Sequence, residues 1–168
     1  MKDFQNVCGY VDFIIENSLE KSIKKYTLKN TILKKGKEAL AATLANSTIS
    51  LSATEGGPSE RNSYYISRMI FGDGGVDSNN NTKPVAESRY SLYGTKLLTK
   101  PVIASIDPKI RTEVIFTSVV SYSEGNGSIL SEMALQMAND ELYSMVTFPS
   151  LTKTEQIQIT WNWRINFI

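Results

Sequence analysis

Residues 157–167 read IQITWNWRINF. Every odd position is apolar: Ile157, Ile159, Trp161, Trp163, Ile165 and Phe167. The even positions are Gln158, Thr160, Asn162, Arg164 and Asn166. Side chains alternate between the faces of an extended chain. A period of two held this long therefore marks a strand with one face in a core and the other wet or at an interface. A helix would scatter the same residues around its circumference. The two tryptophans bury large areas, so a terminal strand over about 155–168 is expected to contribute heavily to stability.

Working upstream, TEVIFTSVVSY (112–122) also alternates. Val114, Phe116, Val120 and Tyr122 share one side, and Ile115 and Val119 the other. Apolar residues on both sides predict a central strand. Glu124-Gly125-Asn126-Gly127 is a tight turn signal. Ile129–Met137 and Leu142–Phe148 read as strands separated by the turn residues Asn139-Asp140. The expected core is Phe116, Val120, Ile159, Trp161, Trp163 and Ile165. Val102–Ile106 is a short strand. Tyr64–Phe71 is a compact strand that runs into Gly72-Asp73-Gly74-Gly75 and a polar surface loop through Lys83. Pro84–Leu98 fits no one template, with short extended pieces around Tyr90–Tyr93.

At the N-terminal end, Val7, Val11, Phe13 and Ile15 fall on one side of a strand over Val7–Glu16, with Gly9 between them. Leu19–Leu28 is the returning strand of a hairpin. Asn30 has N-cap chemistry. Leu33, Leu40, Ala41 and Leu44 then recur at helical spacing and predict a helix over about 31–46, weakened by Gly36. Thr48–Asn62 reads mostly as loop. Many strands, glycine and asparagine turns and one helix predict a mainly-β chain. The expected architecture is an antiparallel β-sandwich with one packed α-helix near the N-terminal side, as a single domain over 1–168.

Composition narrows the function classes. Hydrophobic residues are 41% and charged residues 21% of the 168, an ordinary globular balance. The net charge of +1 gives no footprint for a nucleic-acid backbone. The lysines between Lys21 and Lys37 read as a solvated face. With one cysteine, Cys8, no intrachain disulfide is possible, which suits assembly in a reducing cytoplasm. Cys8 reads as a small buried apolar residue. No run is long or apolar enough for a membrane span, and MKDFQNVCGY lacks the apolar stretch of a secretion signal. The chain has no histidine, which excludes histidine triads, histidine general bases and histidine metal ligands.

The remaining candidates for chemistry are few. Gly72-Asp73-Gly74-Gly75 follows a strand but lacks the lysine and serine of a phosphate loop. Asp73, Asp77, Asn79 and Asn81 offer oxygen ligands, and the spacing of the last three mimics the opening of a calcium loop, but Thr82 stands where its glycine belongs and no glutamate closes it. Glu132, among apolar residues in ILSEMAL, reads as an ion-paired or capping structural residue. Lys153, in the turn before the last strand, is placed to hold a carboxylate across the sheet. A carboxylate-only hydrolase would need Glu113 and Glu132 within catalytic reach. Tyr64, Tyr90 and Tyr93 are candidate aromatics for a glycan. No cofactor and no metal is expected.

In order along the chain stand Gly72–Gly75, Glu124–Gly127, Ser131-Glu132, Phe148-Pro149, Lys153-Thr154 and Trp161–Ile165. Before them come an early hairpin, Lys29-Asn30, Lys35-Gly36-Lys37 and a helix ending near Asn46. This series resembles a pattern in tailed-bacteriophage virion structural proteins. It departs from the pattern at Met133-Ala134, where a glycine-containing pair is expected, and at the asparagines 79–81. The resemblance implies a non-enzymatic subunit of the particle, of the head decoration or cement, neck-collar, or tail and baseplate-adaptor type. A receptor-binding glycan module is the alternative. The implied partners are copies of itself and other virion proteins (major capsid, portal, neck or tail), with no nucleic acid and no membrane. The implied location is the virion, assembled in the host bacterial cytoplasm. The candidate contacts are Phe4, Val7 and Tyr10 in the N-terminal segment and Asp73, Asp77 and Asn80 in the loop.

Overall fold

A computed structural model describes residues 7–44, 64–106 and 108–167. Phe4 and the Thr48–Asn62 loop lie outside them. The described chain is a mainly-β antiparallel sandwich with a single α-helix. Its elements are β1 (Val7–Asn17), β2 (Ser22–Lys29), β3 (Thr31–Ile32), α1 (Lys34–Leu44), β4 (Ile66–Gly72), β5 (Lys96–Pro101), β6 (Ile103–Ile106), β7 (Glu113–Val120), β8 (Ile129–Met137), β9 (Leu142–Thr152) and β10 (Ile157–Phe167). They form two five-stranded sheets, ordered β2-β1-β10-β7-β6 and β3-β9-β8-β4-β5.

The terminal strand is the middle of its sheet. β10 pairs antiparallel with β1 along its whole length and with β7 on the other side. Its odd residues face inward, and Ile159, Trp161, Trp163 and Ile165 are buried. Phe116 and Val120 of β7 are buried beside them. Trp161 joins the layers. Its ring lies 4.7 Å from Phe13 of its own sheet, and 5.3 and 5.6 Å from Phe71 and Phe148 of the other. The even residues face outward, where two of them meet polar partners. Thr117 donates to Asn162, and Arg164 pairs with Asp12 at 2.6 Å.

Chain continuity joins the sheets at both margins. The edge strand β2 passes through Asn30 into β3, an edge of the second sheet. On the far side β5, the other edge of the second sheet, passes through Val102 into β6, the edge of the first. β5 was not legible: its first half, 96–98, falls in the Pro84–Leu98 segment that fits no template, and the rest was not read as strand.

The first corner corrects the expectation for the helix. Thr31 and Ile32 are strand, pairing with Met145 and Ser144, and the helix starts at Lys34. Asn30 is therefore not an N-cap; it is buried, and its backbone N–H donates to Gly9. The buried helix face is also different. Leu33, Gly36, Ala39 and Ala42 face the sheet, whereas Ala41 is exposed. Small residues at this spacing let α1 lie close on β9. A Cβ on Gly36 would collide with the backbone carbonyl of Tyr143. Gly36→Ala should therefore destabilise by about 1–3 kcal/mol, although alanine is the better helix former by about 1 kcal/mol. Chemical denaturation checks this; a gain in stability would contradict the close approach.

The outer face of the second sheet is not bare. Leu33, Ile70, Leu92, Ala134, Leu142 and Met145 form a second apolar layer, with Val85 and Tyr93 packed on it. The segment from Val85 to Tyr93, which has no strand, lies over the sheet as a strap. It is tied to the helix at Glu87, whose carbonyl accepts from the Lys34 N–H and whose carboxylate pairs with Lys37 at 2.8 Å. This strap explains why β8 is buried on both faces from Leu130 to Met137.

Candidate functional site

Two charged side chains are buried among the described residues, Glu132 and Lys153. Each holds a loop at one end of a sheet. Glu132 stands on the outward face of β8, under the glycine loop and the end of the strap. Its Oε1 accepts backbone N–H bonds from Gly74 at 3.0 Å and Gly94 at 2.8 Å, and its Oε2 accepts from Tyr93 at 2.7 Å. Both oxygens are thus engaged by the chain's own amides. The neighbouring Ser131 Oγ accepts from Gly75 N at 2.9 Å. Glycine is needed here because a Cβ on Gly74 or Gly75 would meet the backbone of Tyr93-Gly94 or Ser131. The capping part of the expectation for Glu132 fits these contacts, and the donors are backbone rather than a cation.

The rest of this tip is fixed in the same way. Asp73 Oδ1 accepts from Thr95 N at 2.7 Å. Lys83 Nζ donates to the Gly74 carbonyl at 2.7 Å. Asp77 Oδ1 accepts from the N–H groups of Asn79 and Asn81, at 2.8 and 2.9 Å. Those two amides, more than any charge, hold the Asp77 carboxyl below its ordinary range. Asn80 sits at φ +61 at the apex, and its Oδ1 accepts from Ser150 N on β9. The oxygens that resembled the opening of a calcium loop therefore serve turn geometry. Among the described residues no group of acidic or cysteine side chains assembles a metal site.

Lys153 organises a second turn at the same end of the second sheet. Its Nζ donates to Thr154 O at 2.8 Å, Asn126 Oδ1 at 3.0 Å and Tyr122 O at 3.4 Å. Burial pulls its ammonium below the ordinary lysine range, and the charge of Glu124 acts against that. The expectation that Lys153 holds a carboxylate is corrected: it holds three oxygens of the 122–126 turn and its own flank. Glu124 pairs instead with Lys100 at 2.6 Å and accepts from the N–H and Oγ of Ser121. These partners, Lys100 first, lower the Glu124 carboxyl to about 2. A depressed carboxyl stabilises the fold above its unfolded value near 4.5, and that contribution is lost as pH falls toward 2. Thermal melts between these limits should show falling stability, and Lys100→Met should flatten the profile. An unchanged slope in that variant would contradict the pairing.

The candidate contacts are dispersed. Asp73, Asp77 and Asn80 are exposed on one locked tip. Val7 packs against the core, while Tyr10 is half-buried on the outward face of the first sheet, opposite Arg164. Cys8 lies on that same face, partly exposed, so it is not the buried apolar residue expected. Glu113 pairs with Asn166 on the outer side of one sheet, and Glu132 lies on the outer side of the other. Two layers of chain separate them, so they do not form a catalytic pair. The three tyrosines also part company. Tyr64 is buried and Tyr90 exposed, while the Arg89 guanidinium covers the Tyr93 ring at 3.5 Å and Tyr93 Oη donates to the Pro84 carbonyl. The loop clamps were hidden because the amides that meet Glu132 come from positions 38 to 58 residues away. Comparison with family models, with curated proteins and with solved structures finds no match to this chain.

Proposed function

We propose that this chain is a non-enzymatic structural subunit of a tailed-bacteriophage particle, of the capsid decoration, cement or neck-collar kind. It works by burying surface against copies of itself and neighbouring virion proteins, multiplied over a symmetric array. The observation that carries this reading is the use of the buried charges. Glu132 and Lys153 have their polar atoms engaged by the chain's own loops. Such groups stiffen a scaffold rather than act on a substrate, and they leave the outside of the sandwich as the useful surface. The ordered resemblance running from Gly72 to Ile165 supplies the particle context. The separation of Tyr64, Tyr90 and Tyr93 favours this reading over a glycan-binding module.

Mass spectrometry of gradient-purified particles tests it. The chain should be present in a fixed ratio to the major capsid or neck proteins. Its absence from intact particles, with the chain found only in the soluble lysate, would overturn the proposal.

A further inference from the structure

Beside the corner at Asn30 the two sheets part, and a seam opens between β2 and the far end of β9. It is lined by Phe13, Tyr26, Leu28, Phe148, Pro149 and Leu151, among others, and encloses about 200 Å³. Its floor is the stacked pair Phe13–Tyr26, with ring centroids 4.8 Å apart. Tyr26 is 44% exposed, so the seam is open to a visitor. The adjoining edge is open too. Among the described residues β2 is hydrogen-bonded to β1 on one side only, and none of them pairs with its other side as a strand.

The charge on this edge selects what can pair with it. The strand reads SIKKYTLK, three lysines with no acid. Lys24, Lys25 and Lys29 are exposed and take part in none of the ion pairs among the described residues. The helix lysines Lys34, Lys35 and Lys37, by contrast, all have carboxylate partners. Lysines along an edge repel a second copy of the same strand and favour an acidic one. By alternation Lys24 shares the seam side with Tyr26 and Leu28, and Lys25 and Lys29 flank the outer side.

We propose that the β2 edge and its seam receive an extended acidic segment of a partner protein, with one aliphatic or aromatic side chain of that segment entering the seam. Main-chain hydrogen bonds would add it as a strand, and alternate side chains would meet the lysines. The strand edge of β2 favours a peptide over a nucleic acid, because only a peptide has amide donors and acceptors in strand register. This deepens the assembly reading by naming what the partner presents.

The test selects from a displayed library of short random peptides on the purified chain, with no particle present. Its outcome is therefore separate from the particle composition. Enriched peptides should combine net negative charge with one large apolar residue, and added salt should weaken them. The double variant Lys24→Glu, Lys25→Glu alters exposed side chains only and should weaken them roughly tenfold or more. Tyr26→Ala should remove the preference for the apolar residue. No enrichment, enrichment without acidic bias, or affinity unchanged in the lysine variant would overturn the proposal. So would self-association through β2, or a single-stranded oligonucleotide that binds this edge in place of the peptides.

Discussion

Trp161→Ala is expected to destabilise the protein by about 3–5 kcal/mol, much of the roughly 5–15 kcal/mol that holds a typical domain. Trp161 is fully buried in the middle strand of its sheet and touches aromatic rings from both sheets. Its removal opens a cavity that the layers cannot close, because Phe13, Phe71 and Phe148 are fixed by strands on either side. Trp161→Phe is a sharper comparison. The indole N–H has no partner among the described residues, so phenylalanine loses volume but none of their hydrogen bonds. Its cost should be on the order of 1–2 kcal/mol. Gln158→Ala, on the outward face three positions away, should stay within about 0.5 kcal/mol. Urea unfolding monitored by fluorescence separates the three. Similar costs for Trp161→Ala and Gln158→Ala would mean that the inward and outward faces of β10 are misassigned.

Glu132→Ala is expected to cost a further large amount, about 3–5 kcal/mol, by a different route. The substitution leaves the N–H groups of Gly74, Tyr93 and Gly94 without the carboxylate that they share. Each unsatisfied buried donor costs about 1–3 kcal/mol, offset where water reaches the loosened loop. The effect should therefore be local before it is global. Hydrogen exchange at those three amides should speed up well below the unfolding transition, while the amides of β10 keep their protection. Glu132→Gln should fall between, because one of its two heteroatoms can still accept and the other presents a donor to donors. Exchange that accelerates equally across both sheets would show that Glu132 supports the core and not the tip.

Much of the sandwich was legible where burial follows one simple period. β10 pairs with β1 along its whole length and with β7 over 159–166, with no bulge on either side, so nothing interrupts its alternation. β1 and β7 also read correctly, although β7 lies one place from the edge, not at the centre: its outward Val119 is 39% exposed. The reading failed where the chain turns a corner. Asn30 has the chemistry of a cap, but the route from β2 to β3 needs an extended residue there, and tertiary placement overrides local preference. The helix face was misjudged because Leu33, Gly36, Ala39 and Ala42 include only one large apolar residue, so the larger Leu40 and Leu44 dominated the pattern. β8 looked like an ordinary strand with one odd acid. Its second buried face depends on a strap that contributes no strand and whose anchoring donors are backbone N–H groups, which carry no side-chain signal. Glu132 was conspicuous as a charge among apolar residues and Lys153 as a cation in the turn before the last strand, but their partners lie in other turns.

The most direct test of the assembly account is a reconstruction of purified particles by electron microscopy. The account predicts symmetry-related copies of this sandwich, fitted as rigid bodies with the 72–83 tip and the clamped turns intact, and contacting neighbours through their outer surfaces. Complete particles with no density for the sandwich at any symmetric position would contradict it.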